Sequence, residues 1–348
     1  MKLTLFAYSH TGCRTARRIL DARMADETAC YAVARLEEPG FLPLEKAVYG
    51  AAFAASDALI FVGACGIAVR EIAPYVKDKR TDPAVVCVDE RSNFAVSLLS
   101  GHIGGANALT REIAQALGAT AVITTATDVN GRFSVDAWAA RHGLWLDDMK
   151  LAKAVSAEIL EREVPLCCRA PVLGQLPPGV RAGSEGALGI CIGCRMEQPF
   201  EKTLHLVPKV LRVGVGCRKG TPQAAVEAAI AKVFAENSLY PEAISGVYSI
   251  DLKKEEPGLL AAGRSHGWKM GFYTAEELLA VPGEFTASQF VRRVTGVENV
   301  CERAAMLGAE RLLVKKTALD GVTVAVAQEH WEVRFGESDC CGHWPGQL

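Results

Sequence analysis

Phe94-Ala95-Val96-Ser97-Leu98-Leu99-Ser100-Gly101-His102-Ile103-Gly104-Gly105-Ala106-Asn107 is the stretch on which the fold turns. An apolar run from Phe94 to Leu99 enters a glycine-rich loop. Behind it Ala108, Leu109, Ile113, Ala114 and Leu117 recur at spacings of three and four, the period of a helix with one buried face. Three glycines within five residues bare the backbone amides where that helix begins, and these N–H groups have no partner inside a helix. Such a terminus attracts an anion. A histidine set into it adds proton exchange near neutral pH. The stretch reads as a catalytic loop, and a capping or packing histidine is the alternative.

Upstream, short apolar runs alternate with helical patterns. Strands are expected at Leu3–Tyr8, Ala29–Ala34, Ala58–Val62 and Ala84–Val88, and after the central helix at Ala119–Thr124. Helices are expected at about Arg14–Met24, after Pro43 and from Gly63-Ala64-Cys65-Gly66 to about Tyr75. This alternation predicts an α/β fold with an open parallel sheet covered on both faces, over residues 1–132. Residues 133–207 loosen into two helices (Phe133–His142, Met149–Glu161) and a Gly/Pro-rich stretch, with short strands around Leu166 and Leu188. They read as a small middle domain or an elaborate linker. A second α/β domain is expected over 208–330, from a strand at Val210–Val215 through strands near Ile244–Ile250, Trp268–Phe272, Arg311–Val314 and Val322–Ala327. Its first helix is expected from Pro222, with Thr221 as N-cap. Residues 331–348 read as a poorly ordered tail.

The 348 residues are half hydrophobic, with a net charge of −2 and few aromatics, so a nucleic-acid partner is not expected. The N-terminal apolar stretch is too short for a signal peptide, and no run approaches a membrane span. Twelve cysteines in such a chain read as thiols in a reduced cytoplasm.

Several groups could carry chemistry. Glu90, Asp128 and the Ser100–Asn107 loop are expected together beyond the carboxyl ends of strands, where open α/β sheets place ligands. Gly214-Val215-Gly216-Cys217-Arg218-Lys219-Gly220-Thr221 lacks both the dinucleotide and the P-loop spacings. Its amides, hydroxyl and cations still suit a carboxylate or phosphate, with an ordinary strand–helix turn as the alternative. Lys253, Lys254, Lys315 and Lys316, at or after strand ends, would join Arg218 and Lys219 in a cationic rim. Cys191 and Cys194, with Cys167 and Cys168 upstream, lack the second ligand pair of a zinc site, and Cys340-Cys341-Gly342-His343 lacks a framework. No G-x-S-x-G elbow is present, which favours water over serine as nucleophile.

Four stretches together resemble the CbiG family of cobalamin-biosynthesis proteins: Gly63–Arg70, Ser100–Asn107 with Thr124–Asp128, Gly214–Thr221, and a C-terminal series. That series runs through Ser249-Ile250-Asp251-Leu252-Lys253, Thr274–Leu278, Val300–Ala305 and Gly321–Ala325, and its domain is similar to the CobE/CbiG C-terminal domain. The resemblance is colinear to about Gln328. It implies a cobalt-precorrin-5A hydrolase of the anaerobic pathway. Such an enzyme opens the ring-A δ-lactone of a cobalt-bound tetrapyrrole and releases acetaldehyde, giving cobalt-precorrin-5B. The cobalt belongs to the substrate, so no cofactor is expected, and neighbouring corrin-pathway enzymes are the expected partners. On this reading His102 is the base, oriented by Glu90 or Asp128, one of which returns a proton, and the Gly104 and Gly105 amides receive the oxyanion. Substrate contacts are expected from Gly66, Ser100, Gly101, Gly104, Gly105, Asn107, Gly216, Cys217, Arg218, Lys219, Gly220, Thr221, Lys253 and Lys315. A non-catalytic corrinoid carrier and a nucleotide-dependent transferase remain the alternatives.

Overall fold

A computed structural model describes residues 1–78, 81–102 and 104–336, and the described chain divides into two compact units, 1–140 and 141–336. The first unit is built on β1 (Lys2–Ala7), β2 (Glu27–Ala32), β3 (Leu42–Pro43), β4 (Ala58–Val62), β5 (Ala84–Val88), β6 (Phe94–Leu99) and β7 (Thr120–Val122), in the order β3-β2-β1-β4-β5-β6-β7. Every residue of β4 and β5 is buried, as a strand covered on both faces requires. Between and after the strands come α1 (His10–Asp21), α2 (Lys46–Ala55), α3 (Cys65–Ile72), α4 (Ala106–Leu117), α5 (Ala126–Val129) and α6 (Val135–Arg141). Side chains alternate across the sheet. Leu5, Ile60 and Val86 pack with Ile19 of α1 and Ile113 of α4, while Phe6, Phe61 and Val85 pack with Phe53 of α2 and Ile72 of α3.

One pairing departs from the expected parallel pattern. β6 returns antiparallel to β5, with Val88 opposite Ala95 and Val85 opposite Leu99, while the other pairs of this sheet are parallel. The return is made by a tight turn at Asp89. Its carboxylate accepts the Arg91 and Phe94 backbone N–H groups and the Asn93 side-chain amide, and Ser92 takes a left-handed conformation at φ 62°. The carboxyl ends of β6 and β7 therefore lie at the sheet edge opposite those of β1, β4 and β5. This corrects the expectation that Glu90, Asp128 and the Ser100–Asn107 loop share one edge.

The second unit contains β8 (Trp145–Leu146), α7 (Met149–Glu161), β9 (Val164–Cys168), β10 (Val172–Leu173), β11 (Val180–Ala182), β12 (Leu188–Ile192) and β13 (Lys202–Val207). These are followed by β14 (Leu211–Cys217), α8 (Gln223–Glu236), β15 (Ile244–Ile250), α9 (Pro257–His266), β16 (Met270–Tyr273), α10 (Ala275–Ala280), α11 (Gln289–Thr295), α12 (Val300–Met306), β17 (Arg311–Leu319), β18 (Val322–Gln328) and β19 (Val333–Arg334). Five strands form the sheet β11-β9-β12-β13-β8, five more form β16-β15-β14-β18-β17, and β10 pairs with β19. The stretch expected as a middle domain or linker thus carries its own sheet, and it clusters with the C-terminal sheet. The tail is ordered at its start, because Val333 and Phe335 are buried and β19 pairs with β10. The Cys340, Cys341 and His343 cluster lies outside the described residues. The helix start also shifts: Pro222 occupies the N-cap, and the Thr221 hydroxyl donates to the Arg218 carbonyl instead.

Two buried charges show how the second unit is locked. Arg212 of β14 donates to the Ala305 carbonyl and the Tyr273 hydroxyl and lies 3.5 Å from the centroid of the Tyr248 ring. Glu302 of α12 accepts from the Thr286 amide and hydroxyl and from the Lys316 amide. Both are satisfied on several sides, the condition for tolerating a buried charge. α12 also lies directly on β14: a Cβ on Gly214 would overlap the Cys301 carbonyl, so the glycine sets the helix–sheet distance.

His205 of β13 is 1% exposed, with Nδ1 2.5 Å from Asp147 Oδ2 and Nε2 2.6 Å from the Glu197 carbonyl oxygen. Burial pulls its pKa down, but the two acceptors outweigh burial and the net shift is upward. Its stabilising contribution is therefore complete below the ordinary histidine value of about 6.5 and is lost as pH rises through the raised folded value. Thermal unfolding should show the wild type ahead of His205→Gln at about pH 6 and the gap closing by about pH 9. A pH-independent gap would mean that the ring's proton contributes nothing.

Candidate functional site

The Ser100–Asn107 loop is shaped by its own backbone. Ser100 is left-handed at φ 55° and Gly105 at φ 82°, and a Cβ on Gly104 would run into Ser100. The turn folds the loop's amides back on its carbonyls: Gly105 N–H donates to the His102 carbonyl, Ala106 N–H to Ser100 and Asn107 N–H to Gly101. The Gly105 amide expected to receive an oxyanion is thus already used. Ser97, Ser100, His102, Asn107, Thr124 and Thr125 line a solvent-open space of about 760 Å³.

His102 sits between two carboxylates. Its Nε2 is 2.9 Å from Asp128 Oδ2 and 3.1 Å from Thr127 Oγ1, and its Nδ1 is 3.5 Å from Asp136 Oδ1. Asp128, in the short helix α5, also accepts from Asn107 Nδ2 at 2.9 Å and from Arg111 Nη2 at 2.5 Å. Burial alone would raise its pKa, but the bonds from His102 and Arg111 outweigh burial and hold the carboxyl down at about 2. Asp128 is therefore ionised and fixed at neutral pH. Asn107, 4% exposed, locks the assembly: Oδ1 accepts from Ser97, while Nδ2 reaches both Thr125 and Asp128. A Cβ on Gly101 would stand 2.7 Å from that same Asn107 oxygen.

Of the expected acid–base residues, His102 and Asp128 come together. Glu90 lies at the opposite edge, exposed, with its carboxylate accepting from Ser9 Oγ at 2.5 Å. Gly66, exposed in the first turn of α3, lies at that edge too. The strand order changes direction between β1 and β4 at this edge, the kind of place where such sheets bind ligands. Two site residues were not expected from sequence. Arg111 stands one helical turn after Asn107, a spacing that marks a shared face. Asp136, in the first turn of α6, had no comparable signal.

The residues expected to bind substrate in the second unit are less open than their types implied. Gly216 and Cys217 belong to β14, and burial pushes the Cys217 thiol up. The Gly220 amide donates to Glu256 Oε1 at 2.6 Å, and Lys253 Nζ is 3.0 Å from Glu256 Oε2. An internal carboxylate therefore occupies the position expected for an external anion. Arg218 and Lys219 are exposed, whereas Lys315 and Lys316 lie in the middle of β17 at a bulge rather than at a strand end. Among the described residues, no group of three or more His, Cys, Asp or Glu side chains could hold a metal ion, and no helix is long and apolar enough to cross a membrane.

An α/β protein with an imidazole–carboxylate pair beside an open cavity has the equipment for acid–base chemistry on a bound small molecule. Comparison with known proteins makes this specific. Residues 47–128 match the family model for the cobalamin synthesis G N-terminal region, and residues 211–327 match that for the cobalamin synthesis G C-terminus. The chain is 37% identical to the cobalt-precorrin-5A hydrolase of Salmonella typhimurium, over 94% of this chain and 98% of that one. It is 35% identical to the cobalt-precorrin-5A hydrolase of Priestia megaterium, over 79% of each. A crystal structure of a cobalamin biosynthesis protein G homolog from Sulfolobus solfataricus is similar at 21% identity and a TM-score of 0.42, covering 94% of this chain and 97% of that one. The chain belongs to the cobalamin synthesis G family.

The depressed Asp128 value has a measurable consequence. An unfolded aspartate titrates near 3.9, so Asp128 contributes stability above about pH 5 that is lost as pH falls toward 2. Urea unfolding of wild type and Asp128→Asn should show a stability gap that narrows over this acid range. A constant gap would mean that the charge contributes nothing to holding the loop. Asn107→Ala should cost about 1–3 kcal/mol, because it strips buried partners of their hydrogen bonds.

Proposed function

We propose that the chain is a cobalt-precorrin-5A hydrolase of cobalamin biosynthesis. The observation that carries this reading is identity of 37% and 35% to two relatives of that name, over most of the chain. The substrate is then a cobalt-bound tetrapyrrole that brings its own metal, and the protein supplies acid–base chemistry from its side chains. The setting is the cytoplasm.

His102 is the base. Asp128 accepts the Nε2 proton and fixes the tautomer that leaves Nδ1 able to take a proton from water, and Asp136 faces the imidazolium that results. The activated water adds to the lactone carbonyl and the ring opens to a carboxylate. The oxygen released on the two-carbon fragment collapses to a carbonyl as the carbon–carbon bond to the macrocycle breaks. The bonding pair stays on the macrocycle and is taken up with a proton, and acetaldehyde leaves. An Asp128 ionised down to about pH 2 has no proton to give at neutral pH, so the returning proton comes from imidazolium His102. Arg111 balances the Asp128 charge and is a positioning residue.

Anaerobic incubation with purified cobalt-precorrin-5A, with acetaldehyde followed by a coupled alcohol dehydrogenase assay, tests the reading. The wild type should turn over, and stoichiometric binding without acetaldehyde would favour the carrier alternative. His102→Ala should lower turnover by roughly 10²–10⁴-fold, the scale of a lost general base, while its thermal unfolding stays that of a folded protein. Near-normal acetaldehyde release from that variant would remove His102 from the mechanism and move attention to the Ser9–Glu90 edge.

A further inference from the structure

The second unit contains a solvent-open cleft, about 760 Å³ including the open space at its mouth, that no part of the proposed mechanism uses. Arg169, Arg195 and Arg311 line it, together with Glu197, Trp331 and Cys191. Arg169 is neutralised, with Nε 2.8 Å from Glu197 Oε2. The other two guanidinium groups meet only neutral acceptors. Arg195 donates to the Asn237 carbonyl at 3.1 Å, and Arg311 donates to the Gln328 side-chain oxygen at 2.9 Å. Among the described residues, neither has a carboxylate within ion-pair distance. Burial pushes the Cys191 thiol up to about 12, so it adds no negative charge. The lining therefore holds two uncompensated cations beside an indole.

The walls are fixed by backbone pairing. Arg195 bridges to Leu239, Met196 N–H donates to the Ser238 carbonyl, and Tyr240 N–H donates to the Cys194 carbonyl. On the other side, Val210 N–H donates to the Ala243 carbonyl and Glu329 N–H to the Val210 carbonyl. Guanidinium forks held on such a frame favour carboxylates, which they bind in bidentate fashion, and the Trp331 face favours a flat conjugated body.

We propose that this cavity binds a carboxylated edge of a tetrapyrrole, with Arg195 and Arg311 each taking a carboxylate and Trp331 packing against the ring system. The identity of the ligand rests on the hydrolase reading; the anion site itself rests on the cavity. The space suits one edge of a macrocycle with its acidic side chains.

The test uses the full chain and uroporphyrin, an octacarboxylated porphyrin, as probe, with binding read from tryptophan fluorescence quenching. Arg195→Gln with Arg311→Gln should weaken binding roughly tenfold or more, and each single substitution by part of that. Arg162→Gln, at an exposed helix end elsewhere, should leave it unchanged. An unaltered dissociation constant in a folded double variant overturns the site, even where acetaldehyde release persists. Displacement of uroporphyrin by equimolar inorganic phosphate overturns the tetrapyrrole assignment and leaves a general anion site. Absence of acetaldehyde release from wild type would overturn the hydrolase reading alone, because the porphyrin measurement does not depend on turnover.

Discussion

The Asp89 carboxylate organises more of the first unit than its size suggests. By accepting two backbone N–H groups and a side-chain amide across a four-residue return, it turns the chain back along β5. Every later strand end in this unit then falls at the opposite edge of the sheet. Had the chain crossed over to a parallel β6, His102 would stand beside Glu90 and Ser9. Instead it meets the turn that follows β7, where Asp128 and Thr127 lie. The partner of the histidine is set by strand direction, and strand direction by one turn.

This explains why some of the molecule is legible in its sequence and some is not. β4 and β5 match their expected limits because wholly apolar runs bounded by polar turns leave little choice. Met149–Glu161 is helical as its periodicity requires, with Asp148 capping it. Phe94–Leu99 is apolar but for Ser97, yet periodicity carries no sign of direction, and Asp89-Glu90-Arg91 reads as easily as a strand-end loop. Asp136 meets His102 only through the packing of a separate helix, so no local pattern announces it. The glycines of β14 were legible as glycines but not for their reason: Gly214 makes room for a helix, not for a phosphate. Arg169, Arg195 and Arg311 come from three separated segments, and their convergence is a property of sheet order alone.

The buried charges follow one rule in both units. Asp128, Glu302 and Arg212 each accept from or donate to at least three groups, drawn from at least two separate segments of the chain. Such a hub costs desolvation and returns uniqueness, because a displaced element would leave a charge without its partners. In the first unit the hub holds the imidazole proposed as the base, and in the second it lies in the scaffold. The same physical device fixes a histidine ring in one case and pins a helix to a sheet in the other.

The Glu256 carboxylate on the Gly220 amide changes how the loop after β14 behaves toward cellular metabolites. A tethered group competes at an effective concentration in the millimolar range or above. Free acetate, succinate and similar acids at lower concentrations therefore meet a seat already taken, and Lys253 is held in the same embrace. The loop after β14 thus carries its own counter-ion, and its amide and lysine are spoken for within the fold.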